Sequence, residues 1–506
     1  MSQRLLEIVT SLGRPQIAVI GDLMLDEYMF GQAERISPEA PVPVLRLQGT
    51  EYRPGGAAAV GMDVAALGGI CACLGVVGDD GNGQVLLDLL NKAGINTDGI
   101  LVCKDRPTTT KTRLVGLAQH RHQQQLFRID QESSDPIEPQ IASRILQVFR
   151  RMVNQIKAVC IADYGKGLVG NWLCQQVINI SKRHGVPVLV DPCLKADWKA
   201  RYSHAHCLIP NRYEAGAATG TPITRVDDCR PVAERLIQQL DIETLVIKLD
   251  KDGSYLQVAG GPGRHIPTRV RQVYDVTGAG DQVIATMAVA RAAGVDWQQA
   301  VELANIAAGI EVSRFGVCSV TIEQIIQDIL TNQSQPSSSS LVERKVLPLD
   351  QLLKELGWRR RIGYKVVFTN GCFDLLHRGH IEYLAFCKRQ GHVLVVGLNS
   401  DSSVRLIKGP DRPINSQQDR AALLAALEAV DFVTIFDQPT PLALIETIRP
   451  DVLVKGRDWE KKGVVGAELI TSYGGKVVLA PIVEGKSTTA TIEQIRALAD
   501  PTVVQT

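Results

Sequence analysis

The sequence predicts an α/β protein with two doubly wound domains, the first of which carries a small additional β-sheet. Three features support this prediction: short apolar runs that end in a polar residue or glycine, helical patterns between these runs, and a polar, serine-rich break at 331–340. Such runs are typical of parallel strands that helices cover on both faces. A chain of 506 residues also exceeds what one hydrophobic core normally organises.

The first domain is predicted over residues 1–330. Its main sheet is expected to contain five apolar strands, at 17–22, 158–163, 188–192, 207–211 and 245–249. Two other segments, 43–51 and 108–130, place β-forming residues among glycine, arginine and glutamine. We expect them to form a small sheet that acts as a lid on the main one.

The second domain is predicted over residues 345–506, after a linker at 331–344 that lacks apolar periodicity. Its five apolar runs lie at 365–369, 393–397, 432–436, 452–455 and 476–480. They predict a smaller doubly wound domain. Ligands of such domains bind at the carboxyl ends of the strands.

The composition excludes several classes of protein. The net charge is +1, with 55 Lys and Arg against 54 Asp and Glu, which gives no electrostatic reason to expect a nucleic acid or a membrane surface as partner. Residues 1–15 have no signal-peptide pattern, and no apolar run approaches the about 20 residues that span a bilayer. We therefore expect a cytoplasmic protein. The 11 scattered cysteines favour reduced, mostly buried thiols.

The segment Thr277-Gly-Ala-Gly-Asp281 precedes a helical pattern at 282–293. Its glycines predict a tight turn whose amides open a helix N-terminus, and such a turn binds anions. Asp281 at the edge of this turn is placed to take the proton from a sugar hydroxyl that attacks a phosphoryl group. The alternative is a glycine-rich turn with an aspartate helix cap, because short motifs often match by chance.

Four polar residues of the first domain are candidates for a sugar-phosphate pocket: Asp22, Asp26, Arg35 and Lys166. Carboxylates accept hydrogen bonds from sugar hydroxyls, whereas arginine and lysine suit a phosphate already present on the substrate. Asp22 and Asp26 have a simpler alternative role as caps of the first strand, because aspartate is frequent in turns.

In the second domain, an apolar strand leads into the segment 371–380, which reads Gly-Cys-Phe-Asp-Leu-Leu-His-Arg-Gly-His. His377 and His380 are three positions apart, so they lie on the same side of the helix that begins there. As donors to nucleotide phosphates, they can stabilise the charge that develops when pyrophosphate leaves. The alternatives are two structural histidines, or a zinc site, which lacks a third ligand at a recognisable spacing.

Gly55-Gly56 and the late motif at 275–281 resemble the signatures of ribokinase-type (phosphofructokinase-B) sugar kinases, and the resemblance covers nearly all of residues 1–330. It implies a ribokinase-like fold with a small β lid that binds ATP and Mg²⁺, and it makes Asp281 the catalytic base. The residues that it assigns to ATP are Asn211, Arg212, Tyr213, Glu214, Gly278, Ala279 and Gly280. Glu214 is expected to act on Mg²⁺ largely through water.

The segments 21–26, 35–44, 124–130 and 162–167 narrow the resemblance to heptose-phosphate kinases. Gly55 and Gly56 are expected substrate contacts. The pattern is broken at Ala59, where the family usually has an asparagine that contacts the sugar. The substitution removes one hydrogen-bond partner, a loss on the order of 1 kcal/mol.

Residues from about 345 to 500 resemble the cytidylyltransferase-like nucleotidyltransferases, whose His-x-Gly-His motif follows the first strand. The resemblance implies a Rossmann-like nucleotidyltransferase domain in which His377, His380 and Lys408 are catalytic. Asn399 and Asp401 are expected to place the acceptor or the nucleotide. Further nucleotide contacts are expected from Thr369, Arg412, Ser487 and Thr488. Taken singly, Lys408 and Arg412 would be solvated surface charges.

The order of kinase, linker and nucleotidyltransferase matches the bifunctional heptose-phosphate kinases and adenylyltransferases that supply ADP-activated heptose for lipopolysaccharide. The resemblance implies ATP-dependent phosphorylation of D-glycero-β-D-manno-heptose 7-phosphate at O1. After a separate phosphatase has acted, ATP donates an adenylyl group to heptose 1-phosphate. We expect small-molecule substrates and a homodimer. Two alternatives remain: a sugar kinase of other specificity fused to a polyol-phosphate cytidylyltransferase, and a regulatory or scaffold protein with a degenerate kinase domain.

Overall fold

The computed structural model describes residues 2–116, 124–268, 277–313, 316, 318–332, 341–459 and 463–481. The chain divides into two units, 1–329 and 330–506. No helix in the described ranges is long and apolar enough to cross a membrane.

The first unit alternates strands with helices along most of its length. Its strands are β1 (Gln16–Gly21), β2 (Leu23–Ile36), β3 (Pro43–Gly56), β4 (Ile70–Gly78), β5 (Asn96–Cys103), β6 (Thr110–Gly116), β7 (Gln124–Gln131), β8 (Ala158–Ala162), β9 (Val188–Asp191), β10 (Cys207–Leu208), β11 (Thr244–Lys248), β12 (Ser254–Val258) and β13 (Arg264–Ile266). Its helices are α1 (Ser2–Ser11), α2 (Ala57–Ala66), α3 (Gly81–Lys92), α4 (Pro139–Met152), α5 (Asn171–Arg183), α6 (Trp198–Tyr202), α7 (Arg212–Thr219), α8 (Cys229–Leu240), α9 (Ala279–Ala292), α10 (Trp297–Glu311) and α11 (Ile322–Asn332).

The main sheet contains nine strands among the described residues, in the order β13-β12-β11-β10-β9-β8-β1-β4-β5. The strands from β11 to β5 run parallel, and β12 and β13 extend the sheet in antiparallel fashion. Every residue of β8 is buried, as expected for a strand covered on both faces. Helix α4 packs Ile145 and Phe149, one turn apart, into the core beside the sheet. Helix α9 also contacts β8.

A second sheet of the first unit has the order β3-β2-β6-β7 within the described residues. Strands β2 and β3 form a long antiparallel pair that extends from Leu23 opposite Gly56 to Ile36 opposite Pro43. Strand β6 is parallel to β2, and β7 is antiparallel to β6. This sheet contains both segments that were predicted to form the lid. Its central strand β2 was not predicted.

The second unit contains five parallel strands in the described residues, in the order β16-β15-β14-β17-β18. They are β14 (Val366–Gly371), β15 (Val393–Asn399), β16 (Phe432–Phe436), β17 (Val452–Gly456) and β18 (Lys476–Ala480). The helices are α12 (Leu341–Lys345), α13 (Leu349–Arg361), α14 (Arg378–Lys388), α15 (Asp401–Lys408), α16 (Gln417–Ala426), α17 (Leu442–Ile448) and α18 (Ala467–Ser472). The strand order reverses at β14, and ligands bind at such switch points.

The two faces of this smaller sheet have separate hydrophobic cores. Along β15, Leu394 and Val396 belong to one core, whereas Val393 and Val395 belong to the other. This alternation follows from the two-residue period of a strand. It explains why β15 is a continuous apolar run in the sequence.

The ten apolar runs predicted as strands are all strands in the structure. The predicted linker at 331–344 overlaps a helix at each of its ends. Helix α11 continues to Asn332, and α12 occupies Leu341–Lys345. The ammonium group of Lys345 donates to the carbonyls of Leu427, at 3.1 Å, and Val430, at 2.7 Å, which ties α12 to the second unit. Residues 333–340 lie outside the described part of the chain.

Candidate active sites

The predicted anion-binding turn of the first unit lies at the start of α9. Gly278 has φ 93° and precedes the first residue of the helix, Ala279. A positive φ is readily adopted by glycine, which has no Cβ. Asp281 lies in the first turn of α9 and is half-buried. The helix N-terminus therefore presents backbone amides and one carboxylate to the same space.

The carboxylate of Asp281 accepts a short hydrogen bond from the Tyr164 hydroxyl, which lies in the loop after β8. Burial is the main cause that raises the pKa of Asp281 to about 7; the carboxylates of Asp191 and Asp26 contribute to the rise, whereas the Tyr164 hydrogen bond and Lys248 act in the opposite direction. A pKa near neutrality suits a general base. Burial also raises the pKa of Tyr164 well above its usual value, so its hydroxyl stays protonated and donates.

A buried ion pair lies beside this turn. Lys248, the last residue of β11, places its Nζ 2.7 Å from Oδ1 of Asp191, the last residue of β9. A Cβ added to Gly280 would lie 3.1 Å from Lys248 Nζ and 3.7 Å from Asp191 Oδ2. Glycine at position 280 therefore keeps the space next to the ammonium group open. Sequence reasoning missed both members of this pair.

The segment predicted to approach ATP begins α7. Asn211 and Glu214 form a reciprocal capping box, in which Asn211 Oδ1 accepts from the Glu214 amide at 2.8 Å and Glu214 Oε2 accepts from the Asn211 amide at 2.8 Å. Burial raises the pKa of Glu214. Arg212 pairs with Asp250 and Asp252, so its guanidinium group is committed to a neighbouring loop. Tyr213 is 70% exposed.

The arrangement of carboxylates near the turn limits how a magnesium ion could be bound there. No cluster of three His, Cys, Asp or Glu side chains in the described ranges is arranged to hold a metal ion. The carboxylates of Glu214 and Asp281 both act on Lys248, however, so two possible oxygen ligands lie near the turn. Mg²⁺ usually keeps several waters and binds through one or two carboxylates together with substrate phosphates. These residues therefore fit a magnesium ion that arrives with a nucleotide.

Asp22 has a structural role that differs from the predicted sugar contact. Its buried carboxylate accepts hydrogen bonds from the amides of Tyr164, Lys166 and Leu168 at 2.9–3.2 Å. These bonds fix the loop that carries Tyr164. The contact of Asp22 with the substrate stays a prediction, beside this role in holding the loop.

Asp26 lies in the lid sheet and forms an ion pair with Arg113 of β6, and both side chains are buried. Gly55 and Gly56 make this junction possible, because an added Cβ would lie 2.5 Å from Asp26 Oδ2 or 2.7 Å from the Asp22 carbonyl oxygen, respectively. Arg113 was not predicted. The Asp26 carboxylate lies close enough to Asp281 to contribute to the raised pKa of that residue.

The two predicted phosphate-binding cations differ in position. Lys166 Nζ pairs with Glu132 at 2.7 Å, in the loop that Asp22 holds. Arg35 is exposed near the far end of β2, nine residues beyond Asp26. At roughly 3.3 Å per residue, about 30 Å of strand separates the two residues. Within one subunit, Arg35 therefore lies outside the predicted pocket.

The second unit contains a cavity of about 210 Å³ at the carboxyl end of β14. Its lining residues are Asn370, Gly371, Cys372, Phe373, Asp374, His380, Tyr383, Lys408, Lys455, Gly456 and Trp459. Two of the predicted catalytic residues, His380 and Lys408, thus face the same space from different helices.

His377 caps the N-terminus of α14, and His380 lies in its first turn. Their rings stack with centroids 3.9 Å apart, so the predicted alignment of the pair is confirmed. Burial, together with His377 and Lys408, lowers the pKa of His380 to about 4. His380 is therefore neutral at pH 7, with one ring N–H to donate. The phosphate oxygens of a nucleotide can accept a hydrogen bond from this ring N–H.

Three predicted ligand contacts hold the protein together instead of lining the cavity. Arg412 pairs with the buried Asp374 at 2.6 Å. Asn399 is buried and donates to Ser403, whereas Thr369 is buried against the Tyr383 hydroxyl at 2.6 Å. The contacts of these residues with the nucleotide or the acceptor stay predictions, beside these roles in the fold.

Arg420 was missed by sequence reasoning although it organises this site. Its side chain is fully buried and pairs with Asp401 at 2.6 Å. It also donates to the carbonyls of Cys372, Asn399 and Asn415. Arg420 thus joins the ends of β14 and β15 and holds the carboxylate of Asp401, whose contact with the acceptor or the nucleotide stays a prediction. The predicted contacts Ser487 and Thr488 lie outside the described residues.

The geometry of the two units defines a bifunctional transferase, which joins a sugar kinase to a nucleotidyltransferase. The pfkB family carbohydrate kinase profile matches residues 14–324, and the cytidylyltransferase-like profile matches 368–480. The chain belongs to the family of bifunctional HldE proteins. It is 43% identical to the bifunctional protein HldE of Geobacter sulfurreducens over 477 residues, covering 94% of this chain and 95% of that protein.

A second HldE relative and two solved structures are also similar to this chain. The HldE protein of Magnetococcus marinus is 41% identical over 495 residues, covering 97% of this chain and 99% of its own. The fold of the first unit resembles Arabidopsis thaliana ribokinase (TM-score 0.50, 18% identity) and Escherichia coli phosphofructokinase-2 (TM-score 0.52, 18% identity). Each match covers 63% of this chain and 99% of the other. The predicted ribokinase-like and nucleotidyltransferase folds and the bifunctional enzyme class are confirmed.

Proposed function

We propose that the first unit phosphorylates O1 of D-glycero-β-D-manno-heptose 7-phosphate with ATP, and that the second transfers an adenylyl group from ATP to heptose 1-phosphate. The products are the 1,7-bisphosphate and, after a separate phosphatase has removed the phosphate at C7, ADP-heptose with pyrophosphate. The observation that carries this proposal is the similarity to HldE proteins over 94% of the chain, which includes both catalytic units.

In the kinase reaction, the ionised Asp281 takes the proton of the sugar hydroxyl as its oxygen attacks the γ-phosphorus of ATP. The bond between that phosphorus and the bridging oxygen breaks, and ADP leaves. Tyr164 orients Asp281 through its hydrogen bond. The amides at Gly278, Ala279 and Gly280 receive the phosphoryl oxygens at the start of α9. Glu214 would help to hold a magnesium ion that arrives with the nucleotide, and the ion would supply neutralisation of phosphate charge.

In the adenylyl transfer, an oxygen of the sugar 1-phosphate attacks the α-phosphorus of ATP, and pyrophosphate leaves. His380 and Lys408 line the cavity from α14 and from the end of α15, so they approach the phosphates from two directions. The stacked His377 reinforces the donor row at the helix N-terminus. Donors fixed before the reaction stabilise the developing charge without reorganisation.

The proposal extends to assembly, location and domain limits. We propose a cytoplasmic enzyme with small-molecule substrates and domains at 1–330 and 345–506. We also propose a homodimer, because edge strand β7 of the lid exposes Phe127 (68%) and Ile129 (56%). Light scattering coupled to gel filtration tests the assembly: a mass near 55 kDa, that of one chain, would contradict the dimer.

Product analysis by mass spectrometry tests the two reactions. Heptose 7-phosphate and ATP are expected to give the bisphosphate, and added phosphatase is expected to allow ADP-heptose to form. Replacing ATP with CTP in the second step separates the proposal from a cytidylyltransferase. CDP-linked product in preference to the ADP-linked one would refute adenylyl transfer. Failure of both steps with an intact, folded protein would support the scaffold alternative.

A further inference from the structure

Lys248 is a cation placed where the kinase reaction needs one. It ends β11 at the carboxyl edge of the main sheet, and its amide donates to the Pro210 carbonyl at 2.8 Å, which fixes its backbone next to α7. Its side chain is only 18% exposed. The ammonium group is therefore held in position rather than free to swing in solvent.

The position of the ammonium group relative to α9 is set by Gly280. The 3.1 Å separation between Lys248 Nζ and an added Cβ at position 280 is tighter than ordinary van der Waals contact. The ammonium group thus adjoins the first turn of α9, whose amides form the anion-binding turn. A phosphate bound to these amides lies within reach of the lysine side chain.

The surrounding charges show why this cation matters. Three carboxylates, those of Asp191, Glu214 and Asp281, act on Lys248 and raise its pKa above the usual value, although burial alone would lower it. Without Lys248, a nucleotide phosphate entering this space would meet these carboxylates without the opposing charge of the ammonium group. Like charges disfavour one another strongly where water is scarce.

We propose that Lys248 is a catalytic residue of the kinase, donating a hydrogen bond from its ammonium group to a non-bridging oxygen of the transferred γ-phosphoryl group. The inference rests on the proposed kinase function. Lys248 transfers no proton: Asp281 takes the proton of the sugar hydroxyl, the phosphorus–oxygen bond to ADP breaks, and the lysine remains charged throughout. In the absence of nucleotide, Asp191 is its counter-ion at 2.7 Å.

The competing explanation is that Lys248 only neutralises Asp191 within the fold. The two explanations differ in a double variant. If the pair is structural, removing both charges in Lys248→Met/Asp191→Asn relieves the unpaired carboxylate left by Lys248→Met, and phosphorylation recovers. If Lys248 contacts the phosphoryl group, the double variant stays as impaired as the single one, since no cation is restored.

The experiment measures kcat and KM for sugar phosphorylation in the full-length protein. Lys248→Met is expected to lower kcat by about 10²- to 10³-fold, the usual effect of losing one donor to a developing negative charge, with a smaller change in KM for the sugar. The double variant is expected to stay within about threefold of Lys248→Met. The control is Lys92→Met, which removes the same charge at an exposed position in the last turn of α3 and should behave as wild type.

Adenylyl transfer by the second unit, measured in each sample, reports the amount of active protein. Recovery of kcat in the double variant to within about tenfold of wild type would overturn the assignment and make Lys248 a structural partner of Asp191. An unchanged kcat in Lys248→Met would overturn it as well. Absence of phosphorylation in the wild-type protein would instead count against the proposed function itself.

Discussion

Asp281→Asn is expected to abolish sugar phosphorylation and, at the same time, to stabilise the first unit at neutral and alkaline pH. Burial raises the pKa of Asp281 from its ordinary value of 3.8 to about 7. Between these two values, the native state holds a proton that the unfolded state has released. Stability therefore falls as pH rises from about 4 to 7, and the full cost of ionising Asp281 is present above pH 7.

The magnitude follows from the difference of about 3 between the pKa of Asp281 in the folded protein and its ordinary value. At 1.36 kcal/mol per pH unit, wild type loses up to about 4 kcal/mol through this group. This value is an upper limit, because Asp281 is half-buried and nearby water screens part of its charge. Asparagine has nearly the shape of the protonated acid, and its oxygen can still accept a hydrogen bond from Tyr164. Because asparagine does not ionise, the variant does not lose stability through ionisation at this position. The stabilisation should be near zero at pH 4 and largest above pH 7.

Hydrogen exchange read by mass spectrometry measures this effect in one unit at a time. Amides of the central strands β1 and β8 report the opening free energy of the first unit, and those of β14 and β15 provide an internal reference in the second. The variant and wild type are compared at each pH, which removes the intrinsic pH dependence of exchange. Equal protection of β1 in the two proteins at pH 8 would refute the assigned pKa and its cause.

Three further predictions concern single residues. Tyr164→Phe removes the hydrogen bond that lowers the pKa of Asp281, so the acidic limb of the kinase pH–rate profile should move up by about 1 to 2 pH units; an unmoved profile would contradict this role. His380→Ala should reduce pyrophosphate release by about 10²- to 10³-fold and leave phosphorylation intact; joint loss of both activities in folded protein would contradict separate sites. Arg420→Met leaves the carboxylate of Asp401 and three carbonyls without their donor, so the second unit should lose about 3–5 kcal/mol in urea unfolding; a loss below about 1 kcal/mol would show that Arg420 is dispensable.

The sequence predicted the strands and the two anion-binding helix starts because these depend on local patterns. Apolar runs bounded by polar residues predict buried parallel strands, and glycine before a helical pattern predicts the turn at Gly278. The partners of the key residues were not predictable in this way. Lys248 and Asp191 are 57 residues apart, and only the strand order, in which the short strand β10 separates β11 from β9, brings the ends of these two strands together. The sequence offered one signal for these two residues, which is that each is a polar residue near the end of an apolar run.

Several of the predicted site residues are hydrogen-bonded within the fold, and this has a common physical origin. A carboxylate or guanidinium group near a ligand site can serve the ligand or the fold, and the sequence does not show which backbone donors and acceptors surround it. Asp22 accepts hydrogen bonds from three amides, and Arg412 donates to the carboxylate of Asp374. Buried polar groups must be paired, so residues close to a site are often used to hold its loops.

The two units tune their central groups in opposite directions by the same physical means. Burial disfavours a charged side chain, so it raises the pKa of the acid Asp281 and lowers the pKa of the base His380. For Asp281, the raised pKa makes the carboxylate a stronger base while leaving it ionised above about pH 7. Because His380 is neutral, it does not add a second positive charge beside Lys408. Phosphates that bind in the cavity are negative, so they favour the protonated form of His380. We therefore expect phosphorylation to fail first when the pH falls below 7, because adenylyl transfer does not require an ionised aspartate as a base.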